Sequence, residues 1–333
     1  MVMKSLLKSF LVQHPMVEAV GLKRFNHPLA KGAHLFWMSL VLISLVFVGS
    51  IMVLIPASFV LQGLFQVDAV TAYLDGLPAV WQDFVTFSAN LSLMFLGVHL
   101  ALFLWLKLVE KRSYGSLGIR VADKLPRVLI GFGLGVLSMT LVTVLMVAVS
   151  DARFFTGERI LSGWAALPMI ILLLVPWSIQ ASAEEVVFQG WFVPTMAKQH
   201  GTLLAIIFAA GLFALLHSFN PGIHALGVVN LMLYAIFAAL YMLYERSVLG
   251  IAAFHISWNW SQGHVFGLLV SGTHNVSASL FGVEINTNNV LTGGDFGPEG
   301  SVIVTVVFTL GIALILFLQH RRTKRMKAEG VDA

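Results

Sequence analysis

The sequence contains no cysteine in 333 residues. Disulfides, thiolate catalysis and cysteine metal sites are therefore excluded, and the redox compartment is left unmarked. Charge is scarce as well: Asp, Glu, Lys and Arg make up 11% of the chain against 58% hydrophobic residues, and the mean hydropathy is +0.88. That balance excludes a soluble globular protein and is the composition of a polytopic membrane protein. No HExxH zincin motif, no GxSxG nucleophile elbow and no phosphate-binding glycine loop occurs. Gly293-Gly294-Asp295 lies in a polar stretch and lacks the spacing of an intramembrane aspartyl site. A signal peptide is not expected either, because the first long apolar run starts near Leu35 and no cleavage site follows a short apolar core. There is no internal repeat, and no low-complexity stretch beyond the Gly, Asn and Thr cluster from Asn286 to Gly297.

What the chain does have is apolar runs of about 20 residues, the length that crosses a bilayer. They fall near 35–60, 84–108, 128–150, 163–182, 202–219, 225–244, 248–271 and 301–319, which predicts an all-α protein of about eight transmembrane helices. The stretch 61–83, with Asp68, Asp75 and Asp83, is too polar to span and reads as an interfacial loop. Placing both termini in the cytoplasm puts 18 of the 20 Lys and Arg residues on the inner side, leaving only Arg153 and Arg159 outside. The loop from Gly272 to Gly300 has no Lys or Arg at all. Residues 1–34 then form a cytoplasmic basic amphipathic segment, 35–319 the transmembrane domain with its motif-bearing core at about 160–265, and 320–333 a basic cytoplasmic tail. The tail serves topology, and no nucleic-acid partner is expected.

Two adjacent carboxylates, Glu184 and Glu185, interrupt the fourth run. A single acidic side chain at the centre of a spanning helix costs roughly 2.5 to 3.5 kcal/mol, so this pair must face water or partners. Two later segments supply partners: Phe213-Ala-Leu-Leu-His217 and His255-Ile-Ser-Trp-Asn259. The turn Lys198-Gln-His-Gly201 makes runs four and five a hairpin, with helix running on through the Glu pair as far as Met196. Glu184 and His217 then each lie about 24 Å from the turn and meet at one depth. His255 and Asn259, at i and i+4, share a helix face about 13 and 19 Å beyond the turn at Glu245-Arg246. The cluster therefore forms if the hairpin projects past the cytoplasmic face.

Neighbours on a helix point about 100° apart, so Glu184 and Glu185 must have different roles. Glu185 is one turn from Gln189 and positioned to bond it, which leaves Glu184 to face the histidines. A desolvated carboxylate near histidine donors is suited to act as a general base for water. His217, His255 and Asn259 supply donors for the oxyanion formed when that water attacks a carbonyl. Amide hydrolysis in a water-filled membrane cavity is the resulting expectation. Phe188 and Phe213 are expected to pack beneath the cluster, and His99 and His264 to be packing or pore-lining residues. Pro168, Pro176 and Pro194 are placed to kink the fourth helix.

The three segments resemble the signature of the CAAX protease and bacteriocin-processing family of membrane proteins, also called the Abi family: EExxxR, FxxxH and HxxxN. Here they read Glu184-Glu185-x-x-x-Gln189, Phe213-x-x-x-His217 and His255-x-x-x-Asn259, and the resemblance covers roughly residues 160 to 265. It implies a glutamate-dependent intramembrane endopeptidase in which Glu184 activates water, His217 assists and His255 with Asn259 binds the oxyanion. Glu185 and Gln189 are supporting residues, and Gln189 stands where the family has Arg, so a salt bridge to Glu185 becomes a neutral hydrogen bond. The implied substrate is a membrane-associated protein or peptide precursor, with the lipid bilayer as surroundings. A bacterial cytoplasmic membrane is the expected location.

No cofactor is required by this reading. The residues themselves leave open a composite zinc site of Glu184, His217 and His255. They also leave open a proton relay in a transporter and a noncatalytic partner, such as an immunity or assembly factor, that binds a peptide in the cavity. Glu184→Gln should preserve the function of that last kind of protein.

Overall fold

The computed structural model describes residues 2–22, 25–66, 68–155, 161–273, 276, 278–287 and 289–329. Two short helices, α1 (Val2–Ser9) and α2 (Pro15–Glu18), precede the long α3 (Pro28–Phe65). Then come α4 (Asp68–Asp75), α5 (Ala79–Trp105) with a π-helical end (Leu106–Glu110), and α6 (Lys124–Val149). The strands β1 (Arg153–Phe155) and β2 (Leu161–Ser162) lead into α7 (Leu167–Leu172) and α8 (Leu174–Glu185). A π-helix (Val186–Phe192) joins α8 to α9 (Val193–His200), and α10 (Thr202–His217), α11 (Ala225–Glu245) and α12 (Leu249–Trp260) follow. A second π-helix (Ser261–Val265), the strands β3 (Ala278–Ser279) and β4 (Gly282–Glu284), and α13 (Val302–Ala328) complete the chain.

The protein is mainly helical, and among the described residues five helices are long and apolar enough to cross a membrane: Pro28–Leu64, Ala79–Glu110, Lys124–Val149, Ala225–Glu245 and Val302–Ala328. The fourth apolar run is a broken helix, Gly163–Leu172 followed by Leu174–His200, bent by 47°. Pro176 accounts for the bend, since it has no N–H to offer the carbonyl one turn earlier at Leu172. The fifth run is the 16-residue α10. The last run before the C-terminal helix ends early: α12 has 12 residues, its π-helical continuation stops at Val265, and Phe266 has left the helix. Residues 61–83 differ from the expected loop, because α3 runs on to Phe65, α4 follows at Asp68 and α5 starts at Ala79. Aspartates at the ends of α4 stay exposed while its apolar residues continue the helical pattern, so polarity there marks a helix at the surface.

Small residues set the closest helix contacts. A Cβ on Gly131 of α6 would stand 2.0 Å from the Gly250 carbonyl oxygen of α12, and one on Gly135 would stand 2.0 Å from Ser257 Oγ. The backbones of α6 and α12 therefore touch, as small residues permit between apolar helices that gain nothing from lipid exclusion. Gly97 of α5 meets Gly49 of α3 in the same way, with a Cβ–oxygen distance of 2.0 Å.

Basic segments that are distant in sequence gather at one end of the bundle. Arg127 Nη1 donates to the Glu245 carbonyl at 2.5 Å, Arg246 Nη2 to the Val12 carbonyl at 2.7 Å and Arg322 Nη1 to the Tyr244 carbonyl at 3.1 Å. Lys198 Nζ donates to the Val20 carbonyl. At this end α1 meets the last turns of α13, where Gln319 Nε2 donates to Ser9 Oγ at 3.0 Å. The expected surface helix α1 is thus docked on the bundle. Lys23, Arg24 and Arg159, which enter the charge count for topology, lie outside the described residues. At the opposite end β1 pairs antiparallel with β4, Arg153 against Glu284, and β2 pairs parallel with β3. These pairings tie the stretch between α12 and α13 to the start of α7.

Candidate active site

The Glu pair sits at a change of helical pitch. Glu184 and Glu185 close α8, and the wider π-turn begins at Val186. Such turns inside α-helices occur largely at functional sites. The change of pitch also explains why Gln189 does not reach Glu185 as expected. With i→i+5 bonding the residue four on no longer lies under Glu185. Both polar atoms of the fully buried Gln189 amide lack a hydrogen-bond partner among the described residues.

Glu185 is instead held from two other helices. Tyr234 of α11 donates its hydroxyl to Glu185 Oε1 at 2.7 Å, and His255 Nδ1 of α12 approaches the same oxygen at 2.9 Å. Glu185 is fully buried, which makes it the direct partner of His255. Glu184, expected to face both histidines, stands further off: its Oε2 is 4.0 Å from His255 Nε2 and has no hydrogen-bond partner among the described residues. Its other oxygen accepts from Gln180 Nε2 at 2.7 Å, and Gln180 Oε1 in turn accepts from Asn259 Nδ2 at 3.1 Å. A chain Asn259, Gln180, Glu184 therefore links α12 to α8.

His217 closes α10, where Nδ1 donates to the Phe213 carbonyl at 2.8 Å. A carbonyl only accepts, so Nδ1 carries a proton and Nε2 of the neutral ring carries a lone pair. Phe213 packs beneath it, tilted by 31° with 4.4 Å between ring centroids, and Phe188 meets Phe213 edge-on at 5.2 Å. His99 bonds Tyr114 and Ser182, and His264 lies beside Phe87 and Trp177 with Nδ1 toward the Ala278 carbonyl, so both serve packing.

Glu184, His217, His255 and Asn259 all line one cavity of about 650 Å³, walled on its far side by apolar side chains of α3 and α5 such as Val46, Leu91 and Val98. Glu185 is not on its wall, consistent with its place behind His255. Among the described residues, no three His, Asp or Glu side chains are grouped so as to hold a metal ion.

Several polar groups on the wall carry no sequence motif. Gln180 is one helical turn before Glu184, and Tyr234 is one of three tyrosines on the apolar helix α11; only the Gln spacing is a readable signal. Glu299, in a 3₁₀ turn before α13, also lines the cavity. It accepts from the Ser271 backbone N–H, and Asn230 Nδ2 grips the Glu299 carbonyl at 2.7 Å and the Ser301 carbonyl at 2.8 Å. Burial pushes the Glu299 carboxyl above the usual carboxylate range, against the opposing pull of hydrogen bonds from Ser271 and Gln262 and of the nearby His217.

Fold and site together define a multi-pass membrane protein that encloses a carboxylate and histidine cluster. Residues 164–261 match the model of the Rce1-like family, described as type II CAAX prenyl endopeptidase Rce1-like. The resemblance read from the motifs therefore stands, and the matched segment is the one that carries Glu184, His217, His255 and Asn259. No curated protein matches the chain, and no solved structure does.

Proposed function

We propose that the protein is an intramembrane endopeptidase that hydrolyses a peptide bond of a membrane-associated protein or peptide with water activated by Glu184. The observation that carries this reading is the unpartnered Glu184 Oε2 on the wall of a cavity it shares with His217, His255 and Asn259. In this scheme Glu184 Oε2 and His217 Nε2 both accept from the attacking water. The proton passes to Glu184 as the water oxygen bonds the carbonyl carbon. His255, doubly protonated with Glu185 behind it, and the free amide hydrogen of Asn259 donate to the oxyanion. The carbonyl re-forms, the C–N bond breaks, and the proton held by Glu184 goes to the leaving nitrogen. Gln180 fixes the Glu184 carboxylate, and Glu185 fixes the His255 ring. Eight helical segments with both termini cytoplasmic, in a bacterial cytoplasmic membrane, complete the proposal; the gathering of basic segments at one end of the bundle supports that orientation.

The test is cleavage of a quenched-fluorescent peptide library by the purified protein, comparing wild type with Glu184→Gln and His217→Ala, each with and without a zinc chelator. Chelator-resistant cleavage that both substitutions abolish is the expected result. Loss with chelator, restored by zinc, would move the reaction to a metallopeptidase. Full cellular activity in Glu184→Gln would point to a noncatalytic peptide-binding role.

A further inference from the structure

Glu299 is the one cavity-lining carboxylate that the proposed reaction does not use, and it comes from outside the segment that matches the protease family. Its turn is held by several groups: Asn230 binds the Glu299 and Ser301 carbonyls, the Ser271 N–H and the Gln262 side chain bind its carboxylate, and Asn220 Nδ2 holds the Ser271 carbonyl at 3.1 Å. The carboxylate is therefore fixed in place and cannot swing out to water. Among the described residues, no Lys or Arg lines the cavity. His217 and His255 are the only basic side chains able to carry positive charge among the described residues of its wall; the first must keep a lone pair to take part in the reaction, and the second is already bound to Glu185. A carboxyl fixed in a largely apolar cavity with no Lys or Arg beside it resists ionisation, and a cation brought in with the substrate would favour its charged form and complete an ion pair.

We propose that Glu299 is a specificity-determining residue that selects peptides carrying a cationic side chain, lysine or arginine, close to the bond to be cut. The ammonium or guanidinium group enters the cavity beside Glu299 and supplies the counter-charge, while Glu184 keeps its free oxygen for water. The rest of the peptide lies along the apolar wall of α3 and α5. The inference rests on the endopeptidase reading and adds its substrate class. It also differs from a purely structural role for Glu299, because a glutamine there would still accept from Ser271 while carrying no charge.

The experiment uses the full-length protein in detergent and quenched-fluorescent peptides that differ only in having Lys, Ala or Glu at each position around the cleavage site. The same peptides are measured for binding to the Glu184→Gln protein. Wild type is expected to prefer Lys over Glu peptides by about tenfold in kcat/KM, mainly through KM. Glu299→Gln should reduce that preference to within about twofold without changing the thermal midpoint, and Glu299→Lys should invert it. Equal cleavage of Lys and Glu peptides by wild type would overturn the inference and leave the endopeptidase reading standing; this result needs no variant to fold. Retention of the preference in a folded Glu299→Gln protein would overturn it too. Binding of Lys peptides that depends on Glu299, with no cleavage by wild type, would remove the endopeptidase reading and keep the recognition. Absence of both binding and cleavage for every Lys peptide would overturn the inference as well.

Discussion

His255 donates from Nδ1 to Glu185 Oε1 at 2.9 Å, and this bond leaves its other ring nitrogen 4.0 Å from Glu184 Oε2. The two neighbouring glutamates therefore act at different removes from the chemistry. Glu184→Gln removes the base and should lower kcat by about 10² to 10⁴. Glu185→Gln keeps an acceptor for both Tyr234 and His255 and loses only charge, so a fall of about tenfold in kcat with KM unchanged is expected. Steady-state kinetics on one cleavable peptide separates the two, and a Glu185→Gln protein as inactive as Glu184→Gln would refute the assignment.

Glu110 ties the end of α5 to the π-helix that follows the Glu pair. Its Oε1 accepts from Trp105 Nε1 at 2.8 Å and from Trp191 Nε1 at 2.5 Å, while Oε2 accepts from Arg112 Nε at 2.6 Å. Glu110→Ala leaves two indole donors and a largely buried guanidinium without their acceptor. Each orphaned donor costs about 1 to 3 kcal/mol. Denaturant unfolding in detergent should show a loss of at least about 2 kcal/mol, and Trp191→Phe, which removes one donor and leaves Glu110 its others, should cost less.

Which parts of this arrangement are visible in the sequence depends on whether they are local. Glu184, His217, His255 and Asn259 are legible because intramembrane polar residues are expensive and fall at helical spacings from readable turns. The helix running through the Glu pair and turning at Gly201 is legible for the same reason. The partner of Glu185 is not, because it depends on a π-turn that shifts Gln189 by a fraction of a turn, and nothing in Val186–Phe192 announces a change of pitch. Glu299 is hidden for another reason. It sits in a polar stretch that looks like an outer loop, and only the pairing of β1 with β4 and the grip of Asn230 show that the stretch folds back onto the cavity. The early end of α12 is likewise tertiary: His264 and Gln262 are drawn into bonds with Ala278 and Leu269 carbonyls of that returning stretch.

The contact between α6 and α12 positions His255 and Asn259, and it depends on glycine. A methyl at Gly131 or Gly135 would come within 2.0 Å of atoms on α12, whereas a methyl at Gly133 between them would meet nothing within 4 Å. Gly131→Ala and Gly135→Ala should each cost about 1 to 3 kcal/mol through forced separation of the helices, and should lower activity by displacing the oxyanion donors. Gly133→Ala should unfold no more easily than wild type and, by helix propensity, slightly less easily. Equal thermal midpoints for all three variants would show that the close approach is not needed.

The N-terminal segment carries a pH dependence of its own. His14 is fully buried between α1 and α2, and burial with the nearby Arg246 guanidinium pushes it down from 6.5 to about 4, against the opposing pull of the Leu243 backbone. The folded protein therefore keeps His14 neutral where an unfolded segment would take up a proton. Stability contributed by docking this segment is complete above pH 6.5, falls as the pH drops below that value, and is lost by about pH 4. The interval from 6.5 to about 4 corresponds to on the order of 3 kcal/mol. Thermal midpoints, or proteolysis near Lys8, measured between pH 7 and pH 4 should show the segment loosening on acidification. His14→Leu should remove most of that dependence, and an acid response unchanged in His14→Leu would assign it to other groups.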